Sequence, residues 1–458
     1  MTSLWRHPRC LRNEYLWARS WLRRLRNRPG AALLDIADRL RAGDPPGSLV
    51  LAMAESLASF SDDPSALTCS YLTAAHRATA DRIRNWMLAA GFQSHIDAVG
   101  NVIGLLEGTG AVHGCLLSGS HYDTVVNAGK FDGRLGIIVP IVAATRLRRA
   151  GVRLPVGLQV IAFAEEEGVR FESTFLGSRA LTGQFDPKVL DRTDGAGVSM
   201  RAAMAAAGLD WTAIASTAVN PDSVLGFVEV HIEQGPVLLD ENLPVGVVTS
   251  IAGSIRNTVT VTGMAGHSGT VPMGKRRDAA AASAEIILAV EQRCSRYPGL
   301  VGTVGQLVVP GGAMNVIPGS CHFSVDVRAP TDEVRDAAME DILAVSREVA
   351  ARRKVEIDWK EVLRVSSVEC APQIRTQLAD SVCRVLDAPA ARLLPSGAGH
   401  DAMVMANITP MGMLFVRCGN GGVSHHPSET LSEEDADTAV RVFEDFLLHF
   451  GEAHVAGK

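Results

Sequence analysis

Apolar residues recur along this chain in two rhythms. Residues 31–44 and 70–91 follow the helical one. Ala74, Ala75, Ala78, Ile83, Trp86, Met87 and Ala90 return at roughly three- and four-residue steps, and Gly91 follows as a helix C-cap. Short apolar runs come next and read as buried strands: Val102–Leu106, Cys115–Leu117, Gln159–Ala164 and Val224–Val230, with a helical pattern over Leu135–Leu147 between them. Strands alternating with helices predict an α/β layer with a largely parallel or mixed sheet.

The texture changes near residue 250. Asn257–Thr262 reads N-T-V-T-V-T, the alternation of a half-exposed strand. A helix over Asp278–Cys294, strands over Gly302–Val309 and His322–Arg328, and a helix over Thr331–Ala351 follow. The order is β-α-β-β-α-β, which predicts a small ferredoxin-like α+β sandwich. From about residue 367 the α/β texture returns, with a helix at Gln373–Leu386, a strand at Gly412–Val416 and a closing helix at Ser432–Phe450. The simplest account is one catalytic domain, residues 45–249 and 367–458, interrupted by an inserted domain over residues 250–366. No internal repeat is visible.

Composition narrows the function classes. At 458 residues, 47% hydrophobic and 21% charged, the chain is globular and long enough for two or three domains. No apolar run reaches the roughly 20 residues that cross a bilayer. A formal charge of −6 gives no global reason to expect nucleic acid. The eight cysteines form no C-x-x-C pair, which argues against a thiolate zinc site and fits scattered thiols in a reducing, cytoplasmic setting. The head is unusual: eight arginines between Arg6 and Arg28 face the single acid Glu14. It lacks the apolar core of a secretory signal. An organelle presequence, a basic surface arm and translated sequence upstream of the true start all remain open, and residues 1–44 are expected to be an appendage without a catalytic role.

Four polar pieces carry candidate chemistry. Ser118–Thr124 (SGSHYDT) follows a strand and brings His121 and Asp123, with Asp132 close behind in Lys130-Phe-Asp-Gly133. Glu165-Glu166-Glu167 ends another strand. Two unit charges about 4 Å apart repel by roughly 4 kcal/mol at an effective dielectric near 20. A solvated turn relieves this by splaying outward; at the mouth of a buried strand a divalent cation relieves it better, leaving a second carboxylate free as general base. His231 lies at a third strand end in HIEQGP, and His425 in GVSHHPSE. Imidazole and carboxylate donors without thiolate suit zinc, manganese, cobalt or nickel. The inserted segment adds His267 in GHSGT, Asn315 in GGAMNVIP and Arg328 at a strand end, an arginine able to clamp a carboxylate or to form a surface ion pair. His400 sits in the glycine-rich turn SGAGHDA. No nucleophile elbow and no phosphate-binding loop is present, which weakens serine hydrolase and nucleotide readings.

From about residue 45 onward the chain resembles the hydantoinase/carbamoylase group of amidohydrolases, which belongs with aminoacylase and carboxypeptidase G-type metallopeptidases. The resemblance rests on GSHYDTV, FAEEEGVRF, HIEQGP, HSGTVPMGKRRDA, GGAMNVIPG, SGAGHDA and GVSHHPSE in that order. Ser268, Val271 and Ala128 depart from the usual pattern. The resemblance implies a mixed-sheet catalytic domain and an inserted lid that also mediates homodimerisation. It implies two divalent ions, zinc foremost, held by His121, Asp132, Glu167, His231 and His425, with Asp132 bridging. Asp123 orients His121 from behind. Glu166 is implied as general base and His267 as oxyanion stabiliser. Gln234, Asn315, Arg328 and His400 are implied as substrate contacts, Arg328 on the substrate carboxylate, with lid residues able to act across a dimer. The activity implied is hydrolysis of the ureido C–N bond of a small carboxylate, such as an N-carbamoyl-L-amino acid or allantoate, releasing ammonia and CO2. An aminoacylase or dipeptidase on the same scaffold is the alternative, and a non-catalytic protein that kept the scaffold is a third reading.

Overall fold

The computed structural model describes residues 36–456, so most of the arginine-rich head lies outside the described residues. The helix Ile36–Ala42 inside the expected appendage buries Ile36 and Leu40, so the packed core includes residues before 45.

The main sheet has nine strands. In chain order they are β1 (Gln93–Ile96), β2 (Val102–Leu106), β3 (Cys115–His121), β4 (Gly157–Phe163), β5 (Val224–Ile232) and β6 (Val245–Ile251). A second sheet follows, with β7 (Gly253–Thr262), β9 (Val301–Thr303), β10 (Leu307–Val308), β12 (Ser320–Ala329) and β13 (Glu356–Val365); β8 (Gly266–His267) and β11 (Val316–Ile317) pair separately as a two-stranded ribbon. The chain then returns to the main sheet with β14 (Val368–Glu369), β15 (Leu393–Ser396) and β16 (Met411–Val416).

The main sheet runs β1-β2-β4-β3-β5-β16-β6-β14, with β15 beside β6. Its centre, β4-β3-β5-β16, is parallel, and β1, β2 and β14 add antiparallel edges. Both faces are covered, as a parallel centre requires. Successive residues of β4 alternate between two cores: Leu158, Val160 and Ala162 pack with the helices Pro46–Ala58, Leu135–Arg149 and Glu433–Ala456, whereas Ile161 and Phe163 pack with Phe227, Met413 and Phe415. Each such buried Val, Leu or Ile contributes about 1.5–3 kcal/mol. The mixed α/β class read from the sequence is what the structure has.

The second sheet is antiparallel, in the order β10-β12-β7-β13 with β9 also on β12. β7 alternates buried and exposed along its length, as N-T-V-T-V-T predicts. The helices Ala279–Cys294 and Asp332–Arg353 close one face over a separate core that includes Ile255, Val259, Ile286, Phe323 and Ile342. The single strand expected over Gly302–Val309 is two short pieces, because Val304-Gly305-Gln306 leaves the ladder and only Leu307 and Val308 re-pair with β12.

Candidate metal centre

Parallel strands end on the same edge of a sheet, and ligands gather beyond their carboxyl ends. His121 is the last residue of β3, Glu165–Glu167 follow β4, His231 is next to last in β5, and the loop after β16 carries His425. Four pieces far apart in sequence therefore meet at one edge. Asp132 enters from the loop after β3. Gly133 beside it takes φ +66°, and a Cβ there would lie 2.5 Å from the His121 ring, so only glycine lets the Asp132 loop approach this closely.

Asp132 sits at the middle. Its Oδ1 lies 3.2 Å from His231 Nε2 and 3.6 Å from His121 Nε2; its Oδ2 lies 3.0 Å from His425 Nε2. Glu167 Oε1 is 3.6 Å from the same His425 nitrogen. Two donor sets result, His121–Asp132–His231 and Asp132–Glu167–His425, each with ligand atoms within 4.8 Å of one another and both sharing Asp132. His121 and Glu166–Glu167 form a third such group.

The surroundings fix these side chains. His121 Nδ1 faces the Asp123 carbonyl at 3.1 Å and its carboxylate at 3.4 Å, and Asp123 also accepts the Glu166 and Glu167 backbone N–H groups at 3.1 and 3.2 Å. Asp123 thus ties the first histidine to the acidic turn. His231 Nδ1 points to the Ile232 carbonyl at 2.8 Å, which turns Nε2 toward Asp132. Gln234 donates to Asp132 Oδ2 at 2.9 Å. Gln234 and His425 both hold left-handed backbone, φ +56°, a cost of about 1–2 kcal/mol each that the surrounding contacts sustain.

Electrostatics fit a divalent cation. Burial raises the Glu166 carboxyl well above its usual range, and Glu167 and Asp401 add to it. Burial likewise lifts Glu167 to about 7. Burial opposes ionisation of Asp132, yet His121, His231 and His425 hold it well below the usual range. Burial would lower His121, but Asp123 and Asp132 raise it well above normal. Protons here supply positive charge to a crowded set of carboxylates, and the same donor atoms match the nitrogen and oxygen preferences of Zn, Mn, Co and Ni.

The cluster lines a cleft of about 550 Å³ whose opposite wall comes from the second sheet. His121, Asp132, Glu166, Glu167, His231, Gln234, His425 and Arg328 all face it. Arg328 donates Nε and Nη2 to Asp326 at 3.1 Å each and Nη1 to the Gly397 carbonyl at 2.9 Å. His400 lies behind rather than on the cleft wall: it is buried, bonded to Ser396 Oγ at 2.8 Å, with its ring edge-on to His231 at 4.5 Å. His267 and Asn315 are not brought to the cleft within one chain. Both are exposed on the β8–β11 ribbon, where Ser268 N–H donates to the Asn315 carbonyl at 3.1 Å.

Several residues escaped the sequence reading. Buried Glu429 accepts the Phe131 and Asp132 N–H groups at 2.8 and 3.3 Å, and Ser424 Oγ stands 2.9 Å from it and 3.1 Å from Asp132 Oδ2, so one hydroxyl proton serves either carboxylate. Glu429 was visible only as the last letter of GVSHHPSE. Asp326, two residues before Arg328 on β12, also accepts from Arg256 at 2.9 Å; period-two spacing on a strand was the available signal.

A family model described as Peptidase family M20/M25/M40 matches residues 91–449. The chain belongs to that family. It is a hydrolase of the family's amidohydrolase kind, and the resemblance to the hydantoinase/carbamoylase group is borne out. An N-carbamoyl-L-amino acid amidohydrolase of Geobacillus stearothermophilus is 40% identical over 370 residues, covering 81% of this chain and 90% of that protein. An allantoate deiminase of Arabidopsis thaliana is 39% identical over 428 residues, covering 87% and 81%. The crystal structure of an amidase of the hydantoinase/carbamoylase family from Burkholderia multivorans superposes with a TM-score of 0.81 at 27% identity, covering 88% of this chain and 97% of that one. No helix among the described residues is long and apolar enough to cross a membrane.

Proposed function

We propose that this chain is a dinuclear metal-dependent amidohydrolase that cleaves the ureido C–N bond of a small carboxylate substrate, an N-carbamoyl-L-amino acid or allantoate. The observation that carries the reading is Asp132, whose two oxygens face two separate donor sets. His121 and His231 would hold one ion, Glu167 and His425 the other, with Asp132 common to both. Zinc is the first choice and manganese, cobalt or nickel the others. When bound, the ions supply Lewis acidity toward the scissile carbonyl and lower the pKa of water.

The chain's own residues do the rest. Glu166 lines the cleft beside Glu167 but belongs to neither donor set around Asp132. It takes the proton of the attacking water and delivers it to the leaving nitrogen. The ureido group R–NH–CO–NH2 plus water gives the amine and carbamic acid, which breaks down to ammonia and CO2. Arg328 binds the substrate carboxylate. A guanidinium has five N–H groups, of which Asp326 and Gly397 take three here; one remains on each Nη for a substrate carboxylate. Asp123 orients His121, and Gln234 and His400 support the substrate end of the metal cluster.

His267 and Asn315 complete the site from a second copy, His267 donating to the oxyanion. Their exposure supports this, as do the uncovered Leu288, Tyr297, Val301, Leu307 and Val308, which give the region 250–366 an apolar surface for a homodimer. In that role the second sheet and its helices act as a lid. All described cysteines are free, which supports a cytoplasmic setting.

The matched family is named for peptidases, which favours an aminoacylase or dipeptidase as the second reading. The decisive experiment is turnover of N-carbamoyl-L-amino acids, allantoate, N-acetyl-amino acids and dipeptides by protein loaded in turn with zinc, manganese, cobalt and nickel. Ureido substrates should be cleaved at least 100-fold faster than the acyl and peptide amides, a ratio worth about 2.7 kcal/mol of barrier. Faster cleavage of the amides would replace the reading with the second one.

A further inference from the structure

Apart from the metal cluster, the cleft wall carries three guanidinium groups and no carboxylate among the described residues: Arg256 and Arg328 on the second sheet, and Arg179 on the catalytic side. The first two are held by Asp326. Arg179 is different. It is exposed to the cleft, and its side chain makes no hydrogen bond or ion pair with any described residue.

Its position is nonetheless well determined. The Phe175 N–H donates to the Glu166 carbonyl at 3.2 Å, and the Arg179 N–H donates to the Phe175 carbonyl at 2.9 Å. Arg179 therefore starts one helical turn, about 6 Å along the axis, from a residue hydrogen-bonded to the base. Phe175 makes this link in a left-handed conformation, φ +61°, unusual for an aromatic residue. A Cβ on Gly399 would come within 3.2 Å of the Phe175 ring, so the glycine turn carrying His400 packs against it. The Gln184 N–H donates to the Arg179 carbonyl at 2.7 Å, folding the chain back so that Gln184 lines the same wall. Asn407 completes it: its Nδ2 donates one hydrogen to the Val404 carbonyl at 2.9 Å, leaving the second Nδ2 hydrogen and Oδ1 without a partner among the described residues.

We propose that Arg179, Gln184 and Asn407 form a second polar subsite that reads the substrate's side arm, and that this arm ends in a carbonyl oxygen: a carboxylate, carboxamide or ureido group. The proposal rests on the ureido-acid reading, in which Arg328 takes the carboxylate and the metal cluster the scissile group. A ligand filling a cleft of this size loses most of its water. An apolar arm beside Arg179 would strip a guanidinium of solvent and return no acceptor, whereas a carbonyl oxygen replaces that water. Sites built on hydrogen bonds reject analogues that lack the partner far more strongly than apolar pockets reject extra atoms.

The test uses metal-loaded full-length protein with N-carbamoyl-L-aspartate, N-carbamoyl-L-glutamine, allantoate and N-carbamoyl-L-leucine. Wild type should favour at least one of the three polar substrates over the leucine derivative by tenfold or more in kcat/KM. Arg179→Met should reduce that ratio at least tenfold, and Arg179→Lys should restore part of it for aspartate. Which polar member leads distinguishes a carboxylate arm from an amide or ureido arm. Binding of the same four compounds to Glu166→Gln protein, measured by calorimetry, gives the ratio without turnover. Preference for the leucine derivative, or a ratio within twofold of wild type in Arg179→Met, overturns the subsite. If no compound is cleaved but Arg179→Met still reduces polar selectivity in binding, the ureido reading falls and the subsite stands. If binding shows no polar selectivity either, both fall.

Discussion

Without divalent ions, Glu167 should make the stability of this protein fall as pH rises, and adding the ions should offset that trend. Glu167 shows why. Burial lifts its carboxyl from 4.5 to about 7 in the folded protein without metal. A raised folded value means the proton is bound more tightly in the native state. The stabilisation is complete below pH 4.5 and is lost as pH climbs through 7. At 1.36 kcal/mol per unit the loss is about 3 kcal/mol. The raised imidazoles of His121, His231 and His425 act in the same sense, because their folded values also lie above the ordinary 6.5. Asp132 acts oppositely, but its folded value lies well below 3.8, so its contribution is lost only in strong acid; burial holds His76 and His400 below 6.5, so they also act oppositely and within this window, and the Glu167 share is read as the difference between wild type and Glu167→Gln. At about 2.1 cal/mol/K per residue, a cooperative unit of about 300 residues converts 3 kcal/mol into about 5 °C. Between pH 5 and pH 8, chelator-treated wild type should therefore lose about 5 °C more in Tm by scanning calorimetry than chelator-treated Glu167→Gln. Metal at 100 times its Kd adds about 2.7 kcal/mol, and because metal and protons compete for the same atoms the gain should be larger at pH 8. Glu167→Gln should flatten the metal-free profile. A metal-free Tm profile of Glu167→Gln that runs parallel to wild type between pH 5 and 8, or a metal-induced gain equal at both ends, would refute the reasoning.

Four further outcomes are expected. Glu166→Gln should bind metal to the same stoichiometry by atomic emission and lose at least 10²–10⁴-fold in kcat; activity within tenfold of wild type would remove Glu166 as base. Asp326→Asn should release Arg328 and raise KM for carboxylate substrates about tenfold or more, since a charge-assisted hydrogen bond is worth about 1.5–3 kcal/mol; unchanged KM would show that the clamp needs no support. Glu429→Ala strips the partners from the Phe131 and Asp132 N–H groups and should weaken metal affinity about 10–100-fold in a competition titration. Mixing inactive Glu166→Gln and His267→Ala proteins under subunit exchange should recover about a quarter of wild-type activity, because half the dimers are mixed and one of their two sites is intact; no recovery would place His267 within its own chain.

The metal cluster was legible because residue type and strand ends coincided. His121, Glu167 and His231 each close a short apolar run, and the three runs are neighbours in the parallel centre of the sheet. The sequence did not say that β16 is the next neighbour, which is what brings His425 to Asp132. Residues that act through others were not legible. Glu429 and Asp326 look like ordinary surface acids until the backbone N–H groups and guanidinium groups they serve are placed beside them. The last strand of the expected β-α-β-β-α-β order, β13, was given no residues for a similar reason: its exposed, charged alternation carries little apolar signal, and a bulge between Glu361 and Leu363 breaks the period.

His267 and Asn315 bear on what a single chain can do. Their motifs are as distinctive as those of the metal ligands, yet the fold holds them on an exposed ribbon away from the cleft, while every proposed metal ligand faces it. A polar motif stranded on a ribbon has two physical explanations: surface chemistry of its own, or a partner surface that needs it. The apolar residues uncovered on the same segment, Leu288, Val301, Leu307 and Val308, favour the second, because exposed apolar area on a sheet edge and its neighbouring helix is stabilised by being covered. On that reading one chain supplies the metals' donors, the base and both arginine subsites, and the oxyanion donor arrives only with the second copy. Catalysis would then depend on protein concentration through dimerisation even though metal binding does not, so dilution should abolish turnover before it releases metal.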